Sequence, residues 1–189
     1  MDIALERKTK NRCDRNTRSI GMNITLIGMP ASGKSMVGVL LAKRLGMEFI
    51  DGDLLIQKHE KRLFKEIIEQ EGIEQFIQIE SEGHEKLQVT NTVIAPGGSV
   101  IYSEKAMKHL KEIGIVVYLN VSYEEIANRL GNVKERGVVL KDGMTLRDLY
   151  DERVPLYEKY ADITVNEDRM SAGQIVDYLR KNDFGYKME

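Results

Sequence analysis

The densest chemical signal in this chain is Gly28-Met29-Pro30-Ala31-Ser32-Gly33-Lys34-Ser35. It fits the Walker A pattern GxxxxGK[ST], and the pattern follows from what a phosphate needs. Small residues at Gly28, Ala31, Ser32 and Gly33 let the backbone approach closely, so that its amides point at phosphate oxygens. The positive end of the following helix favours the anion. Lys34 reaches the β- and γ-phosphates, and the Ser35 hydroxyl sits on Mg2+. A glycine-rich turn with a solvated lysine is the competing reading. The completeness of the motif, between an apolar strand pattern and a helical one, argues against it.

Further groups extend this chemistry. Asp51 and Asp53 in "FIDGD" close a short apolar segment. Residues two apart on an extended chain face the same way, and strand ends line the ligand crevice of an open parallel sheet. One carboxylate can hold Mg2+ through water, while the other accepts a hydrogen bond from a substrate hydroxyl and orients it towards the γ-phosphate. The alternative for Asp53 is a helix cap. Gly97 and Gly98 in "APGGS" offer a turn whose amides face a ligand, or a plain strand-to-helix turn. Arg136 lies in a glycine-rich, charged stretch and can close over the phosphates. Arg153 lies in "DERVPLY" and can clamp a carboxylate. For each arginine, a solvated or ion-paired side chain is the other reading. Arg129 precedes the charged stretch and is a candidate to stack on adenine.

These residues need elements to position them. "NITLIG", "EFID", "NTVIAP", "GIVVYLN" and "ADITVN" read as five short buried strands. Helical patterns separate them: "MVGVLLAKRLG" ending at Gly46, broken helical segments over 52–72, a helix over 73–88, one over 103–112, one opened by Ser122 with Glu125 at capping-box spacing, one resuming at "TLRDLY", and a last one in "SAGQIVDYLRKN". Pro155 implies a bend or break in the sixth of these. Strands alternating with helices predict a parallel sheet covered on both faces. The stretch around 131–143 has little core signal and reads as a mobile loop between helices.

Bulk properties narrow the class. The chain has 189 residues, 31% of them charged, and a formal net charge of -2. That suits one domain with a sizeable core and gives no compositional sign of nucleic-acid binding. No apolar run approaches the roughly 20 residues that span a bilayer. A single cysteine, Cys13, and three scattered histidines exclude an intrachain disulfide and show no metal-ligand spacing. The expectation is a cytoplasmic protein with a small-molecule substrate and neither nucleic-acid nor membrane partner, a monomer with a dimer left open. Residues 1–21 are basic and polar and read as a flexible extension of the folded region 22–189. Their acidic residues and lack of an apolar face count against a targeting presequence, and a nucleic-acid arm is the third reading.

Together these motifs resemble the shikimate kinase family of nucleoside-monophosphate-kinase-like P-loop proteins, over residues 22 to about 182. "GMPASGKS" looks like its phosphate loop and "FIDGD" like its paired-aspartate motif. "NVKERG" looks like its lid and "RVPLYEKYA" like its pattern after the lid. The resemblance implies a three-layer P-loop kinase fold with a five-stranded parallel sheet, and ATP and Mg2+ as cofactors. It places Asp51 near the metal, Asp53 on the acceptor hydroxyl, Arg136 at the catalytic arginine and Arg153 on the acceptor carboxylate.

Two positions depart from the family. Its three-glycine turn is matched by Pro96, Gly97 and Gly98, which removes one amide donor. Its second carboxylate-binding arginine follows a phenylalanine that matches Phe76, and here that position is Ile77. A charge-assisted hydrogen bond contributes roughly 1.5–3 kcal/mol, or one to two orders of magnitude in affinity. The expectation is therefore an ATP-dependent kinase of this family for a small anionic acceptor that need not be shikimate, with Ile77 as an apolar pocket wall and Glu80 or Gln78 meeting a polar or amine group. The alternatives are a genuine shikimate kinase, making shikimate 3-phosphate for aromatic amino-acid biosynthesis, a nucleotide kinase, and a nucleotide-binding protein without turnover.

Overall fold

The computed structural model describes residues 22–131, 140, 143–167 and 170–181. Among these, five strands form one parallel sheet: β1 (Asn23–Ile27), β2 (Glu48–Asp51), β3 (Thr92–Ala95), β4 (Gly114–Asn120) and β5 (Ile163–Asn166). Their spatial order is β2-β3-β1-β4-β5. All five expected strands are present. β1 and β3 are buried along their whole length, as central strands covered on both faces must be.

Seven helices cover the sheet among the described residues: α1 (Lys34–Leu45), α2 (Gly52–Glu60), α3 (Phe64–Glu85), α4 (Glu104–Ile113), α5 (Tyr123–Leu130), α6 (Leu146–Tyr160) and α7 (Ala172–Lys181). On one face Val37 and Leu41 of α1 and Ile175, Val176 and Leu179 of α7 pack on Ile24, Leu26 and Val117. On the other, Met107 and Leu110 of α4, Ile126 of α5 and Tyr157 of α6 pack on Ile27, Ile94 and Tyr118. The result is the expected three-layer α/β sandwich.

Local chemistry sets several boundaries. Ser103 caps α4 by accepting from the Ala106 amide at 3.1 Å. Thr145 and Asp148 form a reciprocal capping box at the start of α6. α3 is two helical pieces joined at Gly72, whose φ of 84° no β-branched residue adopts readily. α6 continues through Pro155, so of the expected bend or break there is no break. Packing of Leu149, Arg153, Tyr157 and Tyr160 on the core side outweighs the lost backbone hydrogen bond. The lid stretch lies almost wholly outside the described residues, as do the extension 1–21 and Arg136.

No helix among the described residues is long and apolar enough to cross a membrane.

Candidate active site

Strand register assembles the site. The end of β1 feeds the phosphate loop, which turns through Ala31 at φ 62° and Gly33 at φ 90° into α1. Asp51 of β2 is paired in register with Ala95 of β3. The segments that follow these two residues, Gly52-Asp53 and Pro96-Gly97-Gly98, therefore leave the sheet side by side. A cavity of about 340 Å³ opens there, lined by Lys34, Ser35, Asp53, Gly97, Gly98 and Arg153, with Phe64, Phe76, Glu80 and Ser99 among the further residues.

The phosphate loop is folded on its own lysine. The Lys34 ammonium donates to the carbonyls of Gly28 and Met29, both at 2.9 Å. Burial pushes its pKa down to about 8, Arg153 adds to that, and Asp53 opposes it. A cation held at the mouth of the loop by its own carbonyls stands where an incoming polyphosphate would meet it. The Ser35 hydroxyl donates to Asp51 Oδ2 at 2.8 Å, so the two sequence-assigned metal groups touch. The other Asp51 oxygen accepts from the amides of Asp53 and Leu54, at 3.0 and 3.2 Å, and caps α2. The capping role considered for Asp53 thus belongs to Asp51, which leaves the Asp53 carboxylate for the cavity. Burial raises the Asp53 pKa to about 6, Lys34 opposes the rise and Asp51 adds to it.

Arg153 comes from the middle of α6 and is only 6% exposed. Its Nε donates to the Tyr102 hydroxyl at 3.1 Å, and its guanidinium lies 5.2 Å from the centre of the Tyr102 ring. A Cβ added to Gly98 would come within 3.0 Å of Nη1. The Tyr157 hydroxyl, one helical turn on, donates to the Gly98 carbonyl at 2.7 Å. The arginine is held rigid beside the glycine turn, as a carboxylate clamp requires. Arg129 donates to Glu125 at 2.8 Å, to Glu167 at 3.1 Å and to the Ala31 carbonyl at 3.3 Å. It therefore braces the back of the phosphate loop.

Ile77 is half-buried and does not line the main cavity. It lines a narrow cleft alongside, which shares Phe76, Ser99 and Arg153 with the cavity. The polar group that faces the cavity from this helix, beside Phe64 and Phe76, is Glu80, with 0% exposure. Its Oε2 accepts a short hydrogen bond from the Ser99 hydroxyl, while Oε1 has no hydrogen-bond partner among the described residues. Burial raises the Glu80 pKa to about 7; the Ser99 hydrogen bond opposes the rise, Asp53 adds to it, and Arg153 and Lys34 oppose it. An unsatisfied buried acceptor costs about 1–3 kcal/mol, more if charged. Gln78 points away and donates to Glu82 at 3.2 Å.

Gly97 is where the two cavity carboxylates meet. A Cβ there would sit 2.1 Å from Glu80 Oε1 and 2.8 Å from Asp53 Oδ1. Only a residue without a side chain fits between them. Beneath this turn His84 donates from Nδ1 to the Glu80 carbonyl at 2.7 Å. Its Nε2 lies 2.7 Å from where a Gly52 Cβ would be, and burial holds its pKa down. The imidazole is a neutral strut under the aspartate turn. His84, Ser99 and Tyr102 were not singled out by the sequence motifs. For His84 the helical spacing 76, 80, 84 on one face was the available signal, since Phe76, Glu80 and His84 are all buried; Ser99 and Tyr102 follow the glycine turn and had no such pattern.

Comparison with known proteins gives a consistent picture. A family model described as "Shikimate kinase" matches residues 30–182. A shikimate kinase from Sulfurihydrogenibium sp. (strain YO3AOP1) is 35% identical over 158 residues, covering 83% of this chain and 95% of that protein. One from Clostridium botulinum (strain 657 / Type Ba4) is 40% identical over 148 residues, covering 76% and 87%. Among solved structures, the shikimate kinase from Acinetobacter baumannii in complex with shikimate superposes with a TM-score of 0.80 at 31% identity, covering 89% of this chain and 96% of that one. The Aquifex aeolicus shikimate kinase gives 0.70 at 30%, covering 85% and 95%.

Proposed function

This chain belongs to the shikimate kinase family, and on that premise we propose that it transfers the γ-phosphoryl group of ATP to a hydroxyl of shikimate. The observation that carries the reading is the convergence of Lys34, Asp53 and Arg153 on one cavity. ATP and Mg2+ fit the residues present. The loop amides and Lys34 would take the phosphates, and Ser35 with Asp51 would hold the metal, which neutralises charge on the phosphates when bound. Arg153 takes the acceptor carboxylate as a fixed bidentate donor. Asp53, ionised, accepts from the acceptor hydroxyl and directs its oxygen at the phosphorus. Arg136, outside the described residues, is assigned to the lid by the family pattern alone.

A specific observation favours a second reading. Residue 77 brings no cation to the acceptor side, so Arg153 holds the acceptor carboxylate without the family's second arginine. That supports a related hydroxy acid in place of shikimate, while the names of the relatives support shikimate itself. Coupled measurement of ADP release with shikimate, other hydroxy acids, amino alcohols, polyols and nucleoside monophosphates separates the two. Strong turnover of shikimate establishes the first reading, and turnover confined to another acid establishes the second. Lys34→Ala is expected to abolish turnover with any acceptor while leaving the circular-dichroism spectrum unchanged; surviving turnover rejects the phosphate-loop assignment.

A further inference from the structure

Once the groups above are assigned, one carboxylate in the acceptor cavity makes no direct ion pair among the described residues, although Arg153 and Lys34 act on it through space. Lys34 is held by its loop carbonyls and serves the phosphates. The Arg153 guanidinium is oriented by Tyr102 and serves a carboxylate. Glu80 shares the cavity wall with both, yet its hydrogen-bond partner is the Ser99 hydroxyl on Oε2, and Oε1 has none. Residue 77, three positions earlier and on a neighbouring line of the same helix, is an isoleucine and supplies no charge. The nearest acidic neighbour, Asp53, leans over the same Gly97. Carboxylates crowded in this way are stabilised by a cation shared between them.

We infer that the Asp53–Glu80 edge of the cavity is a subsite for an ammonium group on the acceptor, so that the site takes hydroxy acids that carry an amine. The inference rests on the kinase reading for its hydroxyl and carboxylate contacts, and develops its second form, a related hydroxy acid in place of shikimate, by naming the third group recognised. An ammonium brings three N–H donors and one positive charge. That satisfies Glu80 Oε1 and offsets the charge missing at residue 77. A hydroxyl at the same place brings one donor and no charge. Contact with the carboxylates keeps the amine protonated and non-nucleophilic, so it stays a spectator. The acceptor hydroxyl oxygen forms the new bond to the γ-phosphorus, the bond to the β,γ-bridging oxygen breaks, the hydroxyl proton passes to Asp53, and ADP leaves.

The test uses the full chain with Mg2+ and a non-hydrolysable ATP analogue. Calorimetry compares shikimate with an analogue in which one non-reacting ring hydroxyl is replaced by an amine. The amine analogue is expected to bind about tenfold or more tightly than shikimate. Glu80→Gln should shrink that ratio to about threefold or less, and Ile77→Arg, which supplies the cation from the protein, should move it towards shikimate. Equal or tighter binding of shikimate to the unmodified chain overturns the inference, as does a ratio unmoved by Glu80→Gln. ATP turnover with the same two compounds is read separately. The predicted binding order without phosphoryl transfer would sink the kinase reading and leave the ammonium subsite standing.

Discussion

Asp53 and Lys34 titrate towards each other because the same enclosure acts on opposite charges. Burial disfavours the ionised form of each, raising the carboxyl to about 6 and lowering the ammonium to about 8. If the hydroxyl is oriented by ionised Asp53 and the phosphates are met by protonated Lys34, acceptor kcat/KM rises with pH through the first value and falls through the second. A bell with limbs near those two values is expected for the free enzyme. Asp53→Asn should erase the acid limb and lower kcat about a hundredfold or more, with ATP affinity changed by about threefold or less. Comparable losses in kcat and in ATP affinity would remove Asp53 from the acceptor side. Initial-rate pH profiles and nucleotide titration decide it.

The turn after β3 is the element on which the proposed acceptor site depends. Its glycine at 97 admits two carboxylates at distances no Cβ tolerates. Glu80 cannot simply swing aside, because Ser99 holds one of its oxygens. Gly97→Ala is therefore expected to displace both carboxylates and to lower acceptor kcat/KM by about a hundredfold, the scale of an ångström misplacement. Nucleotide affinity depends on the phosphate loop at the other end of the cavity and should hold. A matching loss of ATP binding would show that the turn supports the whole crevice. The turn was legible as a glycine pair between a strand and a helix. Its crowding was not, because Glu80 arrives from a helix seventeen residues earlier in the chain.

At the scale of the molecule, the site has a stability cost that depends on pH. Glu80 is fully enclosed, and its pKa is raised from 4.5 to about 7. Between those values the native chain keeps a proton that the unfolded chain releases, so this group's favourable contribution is present below about 4.5 and is lost as pH rises through about 7. At 1.36 kcal/mol per pKa unit, the loss is roughly 3 kcal/mol. Glu80→Gln removes it. Thermal melts should therefore show the variant more stable than the parent at pH 8, by about 5–10 °C, with the gap closing at pH 5. An equal difference at both pH values would mean that Glu80 does not titrate in this range.

Local pattern determined a great deal here. Five apolar runs alternating with amphipathic helices specified a parallel three-layer sheet, because period and turn chemistry are properties of neighbouring residues. The phosphate loop was readable for the same reason: its amides, lysine and serine lie within eight consecutive residues. What the fold alone decided is the acceptor half. Residues 53, 80, 97 and 153 come from four separate segments, and which side chain of α3 enters the cavity depends on the rotation of that helix about its axis. The residue type at 77 announced a missing charge. Packing decided which residue of that helix meets the cavity: helix rotation buries residue 80 in it and leaves residue 77 in the cleft beside it.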